Sequence, residues 1–425
     1  MTQVLVRIAV ALVAGLLMTR LFKQIHLPDV TSYLMAGVLL GPVLIGRLGL
    51  PGIGFNDFEQ VEMLQPICDV ALGFIAFAIG SEFRLSSLKT TGRAAVIVGI
   101  FQALTAAAFV DLSLLVLHFI VGDKLPVPAV ITLGAIATAT APAATLMVVR
   151  QYKAKGPTTN LLLPVVALDD AVGLVVFAVS FGAAQAMTAS HASVASITVE
   201  PLLEIVLSLV LGGLLGWVLT RMEDWFQSRR NRVAMIAGFV TAAVALSSLE
   251  IPVGGIVIKF SSLLVCMMLG TVFCNLCPKS EDMMDRADRW SAPLVTLFFV
   301  LSGAELHLDV FSDLVIVVIG VVYILFRSLG KYLGARWSCK WAGCSPTVQK
   351  YLGITLLPQA GVALGMASQV GAKMGELGAT IRSIVLFGVL IYELFGPTLT
   401  KLALTAAGDI IPKELDDRPR KEATI

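Results

Sequence analysis

The sequence is short of charge: Asp, Glu, Lys and Arg make up 14% of its 425 residues, where a soluble domain carries about 25%. A water-soluble core of this size needs more polar surface than that, which excludes an ordinary soluble enzyme. Histidine is scarcer still, with four in the chain. No nucleophile with its base and no metal-ligand set stands out, so a membrane enzyme is the least favoured class and no cofactor is expected. No basic tract or RNA-binding motif points to nucleic acid. Of the six cysteines, Cys274 and Cys277 form a C-x-x-C with no second pair or nearby histidine, so free thiols are expected rather than a zinc site or a disulfide framework. The first twenty residues are apolar but have Arg7 as their only early cation and no small-residue cleavage site, and they read as a retained first span.

What the chain has instead is apolar sequence, 57% of its residues, with a mean hydropathy of +0.88. Apolar runs fall at about 3–22, 30–47, 66–81, 94–121, 127–149, 160–186, 202–220, 233–249, 254–274, 292–306, 313–335, 348–371 and 381–405. At about 20 residues per span, these thirteen account for about 260 residues, about 61% of the chain. Loops are short, and the charged tail from about Lys413 is too small for a regulatory domain. Alternate loops and the tail hold about 22 Lys and Arg, the opposite set about 4. By the positive-inside rule the N-terminus is outside and the C-terminus cytoplasmic, in a cell (inner) membrane.

Two segments match at an offset of 223 residues: Phe77-Ala-Ile-Gly80-Ser-Glu82-Phe-Arg84-Leu85 and Val300-Leu-Ser-Gly303-Ala-Glu305-Leu-His307-Leu308. The same offset carries Asp170 onto Glu393 and Gly173 onto Gly396. A weaker match pairs Leu27-Pro28 with Ile251-Pro252. Each match is seven spans apart, an odd number, so the copies cross the membrane in opposite directions. Inverted repeats are a mark of secondary transporters, whose sites lie near the midplane where the repeats meet.

Asp169 and Asp170 sit in the middle of span six among apolar residues. A carboxylate at that depth costs at least about 2.5–3.5 kcal/mol, and such residues mark ion or proton pathways. Neighbours on a helix point about 100° apart, so one can face a cavity while the other meets a partner. Span five is interrupted at Thr138-Ala-Thr140-Ala-Pro142 and span twelve at Leu357-Pro358-Gln359-Ala-Gly361. Matched interruptions in two halves point to the transport site, with Thr138 and Thr140 able to line an ion path. Span eleven carries Arg327 and Lys331 on one helix face. Arg327, the deeper of the two, is the expected partner of Asp169, with Lys331 as the alternative. Glu393, the repeat mate of Asp170, is expected to pair with a cation or to serve a second proton step. Glu82 and Glu305 read as structural, and Lys259 has no evident partner.

These residues resemble the cation:proton antiporter-2 superfamily, meaning two-aspartate sodium/proton antiporters and the membrane part of Kef-type potassium/proton systems. The resemblance covers nearly the whole chain. It rests on Ala36-Gly-Val-Leu-Leu-Gly41-Pro42, Gly80-Ser-Glu82-Phe-Arg84-Leu85, Thr138-Ala-Thr-Ala-Pro142, Leu168-Asp169-Asp170-Ala171, Gly303-Ala-Glu305-Leu and Glu393-Leu-Phe-Gly396-Pro397. It implies a homodimer, a rigid dimerisation domain that includes spans one and two, and a mobile core in which broken spans five and twelve cross. It implies elevator-type alternating access, with Asp170 as the principal ion ligand and Asp169 paired to a base on span eleven. Two-aspartate members commonly have lysine as that base, and alignment through Gly330 and Gly334 puts Arg327 there, which argues against voltage-driven exchange because arginine does not give up its proton. Kef-type relatives carry a nucleotide-binding tail, so nucleotide gating within this chain is not expected.

The expected fold is an all-α integral membrane protein of about thirteen helices in two inverted six-helix repeats. The exchanger domain covers 1–410, with repeat one at about 1–190, a linker helix at about 200–222 and repeat two at about 230–407, followed by a charged tail at 411–425. The expected function is exchange of Na⁺ or K⁺ for protons. Asp170 binds the cation, Asp169, Thr138 and Thr140 surround it, Arg327, Lys331 and Glu393 act as charge partners, and Pro142, Pro358 and Gln359 mark the crossing. The alternatives are a channel-like K⁺ efflux module gated by a separate soluble partner and, less favoured, a symporter for an organic anion.

Overall fold

In lipid an apolar run satisfies its own backbone by coiling into a helix, and the chain does so along almost its whole length. A computed structural model describes residues 2–24, 27–49, 54–80, 83–188, 194–223, 225–226, 228–249, 251–253, 256–305 and 314–410, with the side chains of a few helical residues, Asp170 among them, excepted. Its helices are α1 (Thr2–Lys23), α2 (Asp29–Leu40), α3 (Phe58–Glu62), α4 (Gln65–Gly80), α5 (Leu85–Val121), α6 (Val127–Ile136), α7 (Pro142–Gln151), α8 (Pro157–Thr188), α9 (Val194–Glu223), α10 (Arg229–Ser247), α11 (Ser262–Leu276), α12 (Ser280–Ala304), α13 (Leu314–Trp341), α14 (Pro346–Thr355), α15 (Gly361–Lys373) and α16 (Gly375–Ala406). Seven of the described helices are long and apolar enough to cross a membrane unaided, and several shorter apolar ones pack among them. Spans five and twelve are each two half-helices, α6 with α7 and α14 with α15. The charged tail, Glu82 and His307 lie outside the described residues.

The inverted repeat is written in the packing. Helix α2 lies against α12, and α11 lies against α4, so spans two and ten form one pair and their repeat mates, nine and three, form the other. Each pair closes on two glycines. A β-carbon on Gly37 would sit 2.8 Å from the Gly303 α-carbon, and one on Gly80 would sit 2.7 Å from the Thr271 amide nitrogen, one residue past Gly270. Backbones this close leave no room for a side chain, the arrangement small residues permit between membrane helices. The next mates, α5 and α13, pack on each other.

Two features of the repeat differ from the sequence reading. Span nine is helical only from Ser262, because Ile251–Val253 and Ile256–Ile258 form an antiparallel hairpin in which Pro252 pairs with Val257. The β-branched residues Ile251, Val253, Ile256, Val257 and Ile258 favour strand over helix there. Pro252 is therefore not the counterpart of Pro28, which caps α2 directly. The broken spans repeat at 219 residues, Val127 to Pro346 and Pro142 to Gly361, about one helical turn short of the 223 offset.

Lys259 does have an acidic neighbour: Glu204 on α9 lies within its electrostatic reach. At the other end of α9, buried Glu223 forms ion pairs with Arg232 at 2.8 Å and Lys279 at 3.7 Å, tying α9 to the starts of α10 and α12.

Candidate functional site at the crossing of the broken helices

A helix ends with carbonyls that have no intrahelical partner. Four ends meet here: the finish of α6 at Ile136, the start of α7 at Pro142, the finish of α14 at Thr355 and the start of α15 at Gly361. The two breaks bond to each other. The Ala141 amide donates to the Pro358 carbonyl at 2.8 Å, and the Gln359 side-chain amide donates to the Ile136 carbonyl at 3.0 Å and to the Tyr323 hydroxyl at 2.9 Å. Pro142 opens α7, where its missing N–H costs nothing. The flanking helices make room. A β-carbon on Gly173 of α8 would meet the Thr138 hydroxyl at 3.0 Å, and one on its repeat mate Gly396 of α16 would meet the Pro358 ring at 3.0 Å.

Arg327 stands at the centre and is fully buried. Its Nε donates to the Ala137 carbonyl at 3.0 Å, Nη2 to Ala139 at 2.6 Å and Nη1 to Leu357 at 2.7 Å. The Tyr392 ring lies 4.4 Å from its guanidinium carbon. One planar fork thus satisfies carbonyls from both breaks, and its charge meets the negative ends of α6 and α14.

The partner of Asp169 is Lys331, with Nζ 2.7 Å from Oδ2, and not Arg327. The reason lies in the register of α13. A β-carbon on Gly330 would sit 2.7 Å from the Ala106 α-carbon, and one on Gly334 2.9 Å from that of Gln102. This close seat against α5 puts the lysine between the two glycines opposite Asp169, and Arg327 one turn away among the carbonyls. The base that meets Asp169 is therefore a lysine, and the objection to voltage-driven exchange, which rested on Arg327 holding that place, loses its ground.

Lys331 also donates to the Thr138 carbonyl at 2.6 Å and to the Thr140 hydroxyl at 2.9 Å. The Thr140 hydroxyl in turn donates a hydrogen bond to Asp169 Oδ2, and the Gln102 amide donates to Oδ1. Asp169, Gln102 and Lys331 are all fully buried, a satisfied charge pair of the kind that survives in a low-dielectric interior. Gln102 is not among the residues expected from the sequence, although a lone amide in the apolar run of span four is itself a signal. The Thr138 hydroxyl donates to the Ala135 carbonyl at 2.6 Å, which leaves its oxygen lone pairs free. Thr140 is a link in the ion pair.

Asp170 follows on α8, with its side chain outside the described residues. Glu393 makes no ion pair among the described residues, contrary to its expected role as a charge partner; its Oε2 has no hydrogen-bond partner.

The transmembrane sodium/hydrogen exchanger family matches residues 8–405. The ammonium/H⁺ antiporter subunit AmhT of Alkalihalophilus pseudofirmus is 20% identical over 91% of this chain and 93% of its own. The K⁺/H⁺ antiporter subunit KhtU of Bacillus subtilis is 22% identical over 94% of each. The structure of the sodium proton antiporter MjNhaP1 of Methanocaldococcus jannaschii superimposes with a TM-score of 0.69 at 19% identity, covering 96% of this chain and 99% of that one. The chain shares the fold of that structure, and with the family matched along nearly its whole length it belongs to the transmembrane sodium/hydrogen exchangers.

Proposed function

We propose that the protein exchanges Na⁺ or K⁺ for protons across a cell membrane by elevator-type alternating access, as a homodimer with its N-terminus outside and its C-terminus cytoplasmic. The observation that carries this reading is the crossing itself: two broken helices bonded to each other, their carbonyl ends held by buried Arg327, beside a helix bearing two successive aspartates. Asp170 binds the cation when deprotonated, and the Thr138 oxygen with exposed backbone carbonyls completes a hard oxygen shell. Protonation of Asp170 releases the cation. Asp169 and Lys331 hold the neighbouring charge balance, and because a buried lysine can give up its proton, Lys331 adds to the protons counted per cycle. Each net charge moved then draws about 2.3 kcal/mol from a 100 mV potential.

The test is reconstitution in liposomes with an internal pH dye and a panel of Li⁺, Na⁺, K⁺ and Rb⁺, with and without an imposed potential. Imposed Na⁺ or K⁺ gradients are expected to move protons the other way, faster when the potential is set to favour it. Cation flux with no change in internal pH would instead indicate a channel-like module.

A further inference from the structure

Glu393 is 6% exposed and lines a cavity of about 30 Å³ between α2, α4, α11 and α12 on one side and α7, α15 and α16 on the other. The remaining wall is apolar, including Leu34, Ile79 and Phe298, and the cavity ends on Ala141, Pro142 and Ala360 of the crossing. Space of this size beside a carboxylate admits a water molecule. The Glu393 Oε2 has no hydrogen-bond partner.

Among the described side chains, the cations on the helices packed against α16 are engaged elsewhere or exposed. Arg327 holds the carbonyls, Lys331 holds Asp169, Arg150 of α7 pairs with Asp288, and Lys350 of α14 lies over the Tyr351 ring. Arg336 and Lys340 of α13 are exposed. On α16 itself, Lys401 lies over the Tyr152 ring, and Arg382 and Glu376 are exposed. On α2 the acid is Asp29, at its first residue, where its amide bonds Gln151. Among the described residues, the charged group within electrostatic reach of Glu393 is another acid, Glu305 at the end of α12, and Glu305 in turn is within reach of Asp69 and exposed Glu62. Glu305 thus stands in electrostatic reach of Glu62 and Asp69 as well as of Glu393.

A monovalent cation sheds water only for several oxygens, and this cavity offers one carboxylate in an apolar wall. A proton needs one. We propose that Glu393 is a proton-binding relay, separate from the cation-binding pair, through which protons pass between the crossing and the end of the bundle where α4 begins and α12 finishes. The Glu393 carboxyl gives its proton to the cavity water, the resulting hydronium gives one to Glu305, and the Glu393 carboxylate is reprotonated from the crossing. The relay rests on the exchange reading above, in that it supposes the chain moves protons.

Glu393→Gln separates the two. In liposomes it is expected to lose most of the cation-driven proton movement while exchanging one cation for another, a reaction that needs no proton, and Glu305→Gln is expected to slow proton movement at that end alone. Proton-coupled exchange at the parent's rate and pH profile overturns the relay, and so does loss of cation-for-cation exchange together with proton movement. Should the glutamine variant fail to fold, Glu393→Asp is expected to shift the pH profile, and an unshifted profile overturns the relay equally. Failure of the exchange reading itself shows in the parent protein, as cation flux without protons.

Discussion

Arg327→Ala is expected to destabilise the protein by on the order of 3–5 kcal/mol, the scale on which removing a buried charge from its partners acts. Three charge-assisted hydrogen bonds disappear, each worth about 1.5–3 kcal/mol. The carbonyls of Ala137, Ala139 and Leu357 are left open where no lipid or bulk water can serve them. The negative ends of α6 and α14 also lose the charge between them. Arg327→Lys should recover part of the loss, because an ammonium is a compact donor that cannot reproduce the spread of the fork. The thermal unfolding midpoint in detergent micelles orders the three proteins as parent, lysine variant, alanine variant. An alanine variant as stable as the parent would mean that the crossing is held by other means.

The second large effect concerns the pair beside it. Lys331→Gln leaves Asp169 as a buried carboxylate with only the neutral donors Gln102 and Thr140, again at a cost of about 3–5 kcal/mol. Asp169→Asn in the same chain removes the stranded charge. The double variant is therefore expected to be more stable than the Lys331→Gln single variant, a coupling that a double-mutant cycle reads directly. Effects that simply add would contradict the pairing of these two residues. The same single variant bears on mechanism: with no proton to lose at position 331, any surviving exchange should no longer respond to an imposed potential.

The thirteen apolar runs, both broken spans and the paired aspartates were legible in the sequence because the bilayer makes those signals strong: every span needs its length, and every buried acid needs a reason. The choice between Arg327 and Lys331 was not. They lie four apart on one helix face, so spacing cannot say which one meets Asp169. That is settled by how closely Gly330 and Gly334 let α13 approach α5, a tertiary fact. Depth in the membrane favoured Arg327, and the open carbonyls of two broken helices proved the stronger claim on it. The hairpin ahead of α11 escaped for a related reason, since an apolar run with two glycines fits the end of a span as well as a turn. Glu393 stood out as an acid in mid-span, but the cavity beside it and its lack of a cation needed the packing of α16 against two groups of helices.

The central claim is that cation and proton compete at the aspartate next to this ion pair, and it is tested most directly at Asp170. Asp170→Asn keeps the size of the side chain and removes the charge. In liposomes, with a folded variant confirmed by its unfolding midpoint, it is expected to lose both cation-driven proton movement and exchange of one cation for another, while the Asp169 and Lys331 pair remains. Parent-level exchange of Na⁺ or K⁺ for protons by that variant would contradict the account.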